Sequence, residues 1–308
     1  MKYIYLLITI IIISSCSAIG TAKVSSAPLI YGESFLIKKG SNFKLLESKT
    51  IPKPQLTGIE EEFKAESYII LDRETLTPLL TKKDKDKRLF ASVTKLMTVL
   101  VALENSDKSK IVEINRDFSD TPPAKMGIYK GEKILLENIL KAALILSAND
   151  AADMIAYHVG NGNYNSFIDL MNQKAKDIGM FNTHFTNAIG LDDEQNYSTV
   201  YDLALLANYA LKNEFIAETV KIKELEVYSY DGVTKHQLKS TNNLLDDKEI
   251  NVYGLKTGQT PIAGGCFVSV AKLKNGEEII TVVLGSDDRF GQTIAMIEWV
   301  EENIKWEK

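Results

Sequence analysis

The sequence predicts a mixed α/β protein of the α+β type: an antiparallel five-stranded sheet flanked by helices, with an all-helical lobe inserted between its strands. Three observations predict it. Short β-rich runs at residues 67–72, 75–81, 251–259, 266–274 and 277–285 sit near the two ends of the body, and helical spacing fills the middle. The pair Asn275-Gly276, the strongest short hairpin signal, joins the last two runs. In residues 90–103, Val93, Leu96, Met97, Leu100 and Val101 recur at i, i+3, i+4, i+7 and i+8, the stripe of a buried helix.

Composition allows such a fold and excludes several functions. The 308 residues are 45% hydrophobic and 25% charged, enough apolar material for a sizeable core. The formal charge of −5 provides no basic field for nucleic acid. With two cysteines and three histidines, neither a disulfide scaffold nor a multi-ligand metal site is expected, and no cofactor is implied.

The first element is an address. Lys2 precedes an apolar run at residues 3–13, too short to span a bilayer, so residues 1–15 read as a signal peptide. The segment Ile13-Ser14-Ser15-Cys16 resembles the bacterial lipobox, which implies cleavage before Cys16 and lipidation of its thiol. Residues 16–58 carry Pro28, Pro52 and Pro54 among Ser, Gly and Lys, and read as a lipidated tether. Residues 59–308 form the body, with the helical lobe at about 105–235. Within it the spacing predicts helices at 131–146, 151–159, 163–178 and 199–212, and a last one at 290–305. Residues 251–259 are expected to pair with 266–274 through the turn 260–264.

Chemistry enters through spacing. There is no Gly-x-Ser-x-Gly, no His-Glu-x-x-His and no phosphate-binding Gly-x-x-x-x-Gly-Lys. His158 lies on an apolar helix, His184 in Asn-Thr-His-Phe-Thr-Asn and His236 in a polar loop, each best read as structural. A lysine can serve as base instead. Ser-x-x-Lys occurs at Ser41/Lys44, Ser92/Lys95 and Ser269/Lys272. Ser41 falls in the tether, and on a strand Ser269 and Lys272 point to opposite faces. Ser92 and Lys95 alone open a helix, where i and i+3 are neighbours and free backbone N–H groups face a developing oxyanion. Ser-x-Asn occurs at Ser147/Asn149 and Ser240/Asn242, and Lys-Thr-Gly once, at Lys256-Thr257-Gly258. Each triplet alone is weak. In this order, on helix start, interhelical loop and strand, they form a constellation.

That constellation resembles the penicillin-recognising serine peptidases, and within them the low-molecular-mass penicillin-binding proteins that act as D-alanyl-D-alanine carboxypeptidases. The resemblance runs from about Ser67 to Trp299 and includes ASVTKLMT, SANDAA, GMFNTHFTNAIGLDDEQNYST, KTGQTPIAGGC and VVLGS. It implies a DD-peptidase/β-lactamase-like fold and removal of the terminal D-Ala from peptidoglycan stem peptides through an ester on Ser92. By resemblance Lys95 is the base, its amine kept neutral by burial and by the nearby cation Lys256. Ser147 relays a proton to the leaving nitrogen and Asn149 holds a substrate amide. Lys256 and Thr257 bind the terminal carboxylate, and Gly258 lets the substrate lie along the strand. The backbone N–H groups of Ser92 and Gln259 form the oxyanion hole. β-Lactam antibiotics are the implied acylating inhibitors, and the implied location is the bacterial cell envelope, with Cys16 anchoring the chain to a membrane. Peptidoglycan D,D-endopeptidase, β-lactamase and non-catalytic peptidoglycan-binding lipoprotein are the alternatives. Gln259 stands where many relatives carry an aromatic residue or His, and no Glu-x-x-x-Asn segment follows Ser147.

Overall fold

The computed structural model describes residues 51–54 and 63–307; Cys16, the signal peptide and the Ser41/Lys44 pair lie outside them. The elements run β1 (Ile51–Pro54), β2 (Ser67–Asp72), β3 (Pro78–Lys82), a 3-10 turn (Ala91–Val93), α1 (Thr94–Asn105), β4 (Ile111–Glu113), β5 (Lys133–Leu135), α2 (Leu136–Ile145), α3 (Asn149–Val159), α4 (Tyr164–Asp177), α5 (Val200–Ala210) and α6 (Glu214–Thr219). There follow β6 (Glu224–Tyr228), β7 (Lys235–Lys239), a 3-10 turn (Asn243–Asp246), β8 (Asn251–Thr260), β9 (Gly264–Lys272), β10 (Glu278–Ser286), α7 (Arg289–Asn303) and β11 (Ile304–Glu307).

The central sheet has five strands in the order β3-β2-β10-β9-β8, every neighbouring pair antiparallel. Strands β2 and β3 therefore join the late strands β8–β10 in one sheet, and everything between β3 and β8 is an excursion. Both faces are buried, and alternate residues serve opposite cores. Ile69, Leu71, Val268, Val270, Ile280 and Val282 pack with α1 and the lobe, whereas Ile70, Phe267, Ala271, Ile279 and Val283 pack under α7 with Met296, Ile297 and Val300. Two-sided burial explains why the strands read as nearly continuous apolar runs.

The excursion is not purely helical. Residues 131–146, expected as one helix, divide into β5 and α2, and β5 pairs with β4. Strands β6 and β7 form a second two-stranded ladder, so His236 stands on a strand and is buried, not in a loop. Four helix starts are written in polar caps: Asn163, Thr199, Asn213 and Asp288 each accept a hydrogen bond from a first-turn backbone N–H. No helix among the described residues is long and apolar enough to cross a membrane.

Candidate active site

The site grows from the 3-10 turn that leads into α1. Ala91 takes a φ of +49°, which swings the chain so that Ser92 stands half-exposed at the start of the helix. Two glycines allow this turn to be packed from both sides. Gly190 has φ +83°, and a Cβ there would fall 2.0 Å from the Ala91 carbonyl oxygen. At Gly258 a Cβ would lie 2.9 Å from both the Ala91 Cβ and the Ser92 amide nitrogen. The glycine of Lys-Thr-Gly thus brings β8 against the serine turn, its missing side chain making room for the protein's own backbone. The same approach brings the Ser92 amide beside the residue preceding Gln259.

One helical turn on, Lys95 is fully buried, with its Nζ 2.8 Å from Ser92 Oγ. Its amine also donates to the Ile189 carbonyl at 2.6 Å, and Ser92 Oγ reaches the same oxygen at 3.4 Å. Burial pushes Lys95 down to about 7, against the opposing pull of Asp153 and Asp150 on α3. Of the two causes expected to lower it, burial is the one that acts on Lys95. The mutual repulsion of the two lysines appears instead on Lys256, which burial first, then Lys95 and Arg289, hold well below the ordinary lysine value.

Lys256, Thr257 and Gly258 lie on β8, the edge strand of the sheet, in register with Val268, Phe267 and Cys266. The outer side of an edge strand keeps unpaired backbone donors and acceptors, the requirement for adding an extended peptide. The Lys256 amine donates to the Thr257 carbonyl at 2.9 Å, and the Thr257 hydroxyl pairs with that of Thr241 at 2.6 Å. Thr241 belongs to the second Ser-x-Asn triplet, which turns out to brace β8: Asn242 caps the 3-10 turn and its amide reaches the Gly254 carbonyl at 3.4 Å.

Ser147 and Asn149 occupy the corner between α2 and α3, and α3 packs on α1. Ser147 is buried with φ +61°, a left-handed conformation uncommon outside glycine and typical of constrained functional corners. The Asn149 amide nitrogen donates to the Pro123 carbonyl at 2.6 Å, which commits the donor end of the side chain to the loop and leaves its oxygen free to accept. The third Ser-x-x-Lys behaves as geometry demands: Ser269 pairs with Thr281 on β10, and Lys272 is exposed.

Two contributors escape motif reading. Arg289, at the start of α7, donates to the Gln259 side chain at 2.8 Å, and its buried Nε has no hydrogen-bond partner among the described residues. The segment Ala188–Gly190 carries the carbonyl that fixes Lys95. No spacing rule finds either, because both act from distant points in the chain. Cys266 is buried, and burial raises its thiol to about 12, consistent with a core residue. Among the described residues no cluster of His, Cys, Asp and Glu could hold a metal ion.

A serine and a buried lysine sharing a hydrogen bond at a helix start, beside an edge strand carrying Lys-Thr-Gly on a five-stranded antiparallel sheet, define the fold of the penicillin-binding DD-peptidases. The family model described as Peptidase S11, D-alanyl-D-alanine carboxypeptidase, matches residues 53–288, and the chain belongs to that family. It is 33% identical over 243 residues to the D-alanyl-D-alanine carboxypeptidase DacF of Bacillus subtilis, covering 76% of this chain and 61% of that one. Against the D-alanyl-D-alanine carboxypeptidase DacA of Haemophilus influenzae the identity is 30%, over 82% of this chain and 64% of the relative. The chain thus spans less than two thirds of these relatives' length. The solved Streptomyces K15 DD-transpeptidase superposes with a TM-score of 0.72 at 28% identity, over 79% of this chain and 98% of that structure.

Proposed function

We propose that the protein is a serine D-alanyl-D-alanine carboxypeptidase that removes the terminal D-Ala from peptidoglycan stem peptides and is acylated by β-lactams. The observation that carries this reading is the 2.8 Å contact between Ser92 Oγ and a fully buried Lys95 whose amine titrates at about 7. Such a lysine has a large neutral fraction at physiological pH and can take the serine proton.

In this reading the substrate lies antiparallel along β8. Its carboxylate meets Lys256, with Arg289 as a second cation on the same side and the Thr257 hydroxyl as a further donor. An arriving carboxylate favours the ammonium on Lys256, and repulsion between the two lysines then keeps Lys95 neutral. Ser92 Oγ attacks the carbonyl of the penultimate D-Ala while its proton passes to Lys95 Nζ. The developing oxyanion is met by the N–H groups of Ser92 and Gln259. Asn149 accepts from a substrate amide through its oxygen. Ser147 hands a proton to the leaving D-Ala nitrogen and is reprotonated from the Lys95 ammonium, the C–N bond breaks and leaves the ester on Ser92, and water hydrolyses it. No cofactor takes part.

The test is the intact mass of the full chain in detergent with and without benzylpenicillin, alongside Ser92→Ala. The expected result is a persistent penicilloyl adduct on the wild type only. Rapid hydrolysis of the drug would favour a β-lactamase, and untouched drug a binding protein without turnover. A second reading, D,D-endopeptidase, has one observation in its favour: the chain is 30% identical to the D-alanyl-D-alanine endopeptidase of Escherichia coli, over 80% of each chain. Product analysis on pentapeptide and on cross-linked dimer separates the two.

The same reading puts the enzyme in the cell envelope, held to a membrane by a lipid on Cys16 through the tether 16–58. Cys16→Ser is expected to move the protein from the membrane pellet to the soluble fraction and to abolish incorporation of labelled fatty acid.

A further inference from the structure

Near Lys95 lies a polar cluster that no step above uses. Asp153, one turn into α3, is half-buried. Its Oδ1 accepts from the Tyr164 hydroxyl at 3.3 Å, and its Oδ2 from the Thr121 hydroxyl at 3.4 Å. The Tyr164 oxygen in turn accepts from the Ala188 amide at 2.9 Å, so this hydroxyl both donates and accepts. The Ala188 carbonyl accepts from Thr98 Oγ1 at 2.7 Å. The next carbonyl, that of Ile189, is the one that holds Lys95 Nζ. A buried backbone amide without a partner is costly, so the tyrosine hydroxyl, with Thr98 on the Ala188 carbonyl, holds this segment in place.

We propose that Asp153 and Tyr164 are positioning residues for Lys95: the carboxylate holds the hydroxyl, the hydroxyl pins Ala188, and the adjoining Ile189 carbonyl keeps the lysine amine against Ser92. The inference rests on the reading of Lys95 as the base. Asp153 also acts through charge. When Lys95 takes the serine proton it becomes a buried ammonium, and the carboxylates facing it from α3 are Asp153 and Asp150, opposed by Lys256 across the site on β8. Asp153 itself faces Arg116, Thr121 and Tyr164 as well as Lys95. Without the Asp153 charge, burial acts on Lys95 with one opponent fewer, and the amine titrates lower and is a weaker base.

Two substitutions separate the pin from the charge. Asp153→Asn keeps an oxygen for the Tyr164 hydroxyl and removes the charge, whereas Tyr164→Phe keeps the ring and removes the pin. The rate of benzylpenicillin acylation of the full chain in detergent, followed by intact mass between pH 5 and 9, reads both. Asp153→Asn is expected to shift the acid limb of the rate to lower pH and to lower the plateau. Tyr164→Phe is expected to lower the plateau on the order of 10-fold. Both are expected to leave the saturating drug concentration little changed. A wild type that forms an adduct while both variants stay within about twofold of it, with the limb unmoved, overturns the inference and leaves the reading of the site intact. If Asp153→Asn does not fold, Tyr164→Phe at wild-type rate suffices to overturn it. A wild type that never acylates overturns the reading of the site and this inference together.

Discussion

To act as the proposed base, Lys95 has to be buried enough to shed its proton near neutral pH and bonded well enough to remain over Ser92. Its hydrogen bonds to Ser92 Oγ and the Ile189 carbonyl meet the second need, and a fully buried amine titrating at about 7 meets the first. In the proposed mechanism the neutral amine is the active form, so acylation by benzylpenicillin is expected to rise with pH through about 7, as stopped-time mass measurements can follow. Lys95→Arg keeps a cation that does not deprotonate, and is expected to slow acylation on the order of 1,000-fold without loss of the folded near-UV spectrum. Gly258 poses the complementary test. A methyl group there meets the Ala91 Cβ and the Ser92 amide, both at 2.9 Å, so β8 must move away from the serine turn. Gly258→Ala is expected to cost about 1–3 kcal/mol of stability in denaturant melts and to lower acylation more than stability alone explains. These residues were legible in the sequence because residue type and spacing carried the chemistry: a serine and a lysine three apart at a helix start, and a triplet on a strand. Arg289 and the Ile189 carbonyl were not. One is a lone arginine and the other a backbone atom, and only the fold brings them to the site.

At the scale of elements, the loop between β4 and β5 decides how the Ser147 corner is held. From the α3 side, the Asp150 carboxylate accepts from the amides of Met126, Gly127 and Ile128, at 2.9, 2.8 and 3.3 Å. From the β7 side, His236 contacts the Met126 carbonyl through Nδ1 at 3.0 Å and Glu132 through Nε2 at 2.7 Å, both side chains being buried. A carbonyl can only accept, so Nδ1 donates to Met126, and beside an ionised Glu132 the ring donates from both nitrogens as an imidazolium. The Glu132 hydrogen bond, then that to Met126, outweigh burial and raise its pKa above 6.5. The stabilisation is therefore complete below the ordinary histidine value and is lost as pH rises through the raised one. His236→Gln is expected to cost on the order of 2 kcal/mol near pH 6. The melting-temperature gap to the wild type should close as the buffer is made alkaline; a gap independent of pH would show that the pair is held without the charge. The β6–β7 ladder was missed for a physical reason. Its strands Glu-Leu-Glu-Val-Tyr and Lys-His-Gln-Leu-Lys alternate, but with so few apolar residues that they read as loop, and His236 supplies by ion pairing part of what a fuller apolar face would have given. The three-residue strands β4 and β5 are too short for any period to register, and α2 absorbed β5 because Lys133-Ile134-Leu135 continues the helical pattern.

On the scale of the whole molecule, the five sheet strands were legible because a sheet buried on two faces needs apolar, β-branched runs bounded by turn residues. What the sequence concealed is how the body closes. Residues 51–54 were read as tether, yet β1 pairs along its length with β11, from Ile51 opposite Glu307 to Pro54 opposite Ile304. Strand β11 is in turn fastened to the sheet: Ile304 is buried in the core under α7, and the Trp306 indole donates to Asp72 Oδ2 at 2.9 Å at the end of β2. Two prolines in a strand of four explain the misreading, since proline signals a turn or linker and is tolerated in a two-stranded ladder only where its missing N–H faces outward. The compact unit accordingly begins near Lys49. A fragment starting there is expected to melt in one transition and to acylate at the rate of the full chain. A fragment starting at Phe63 loses the partner of β11 and is expected to be less stable by on the order of 2 kcal/mol, several degrees in melting temperature, while its acylation rate at low temperature stays the same. Equal melting temperatures for the two fragments would mean that the ladder contributes nothing to the fold, and a drop in acylation would mean that the closing strands reach the site.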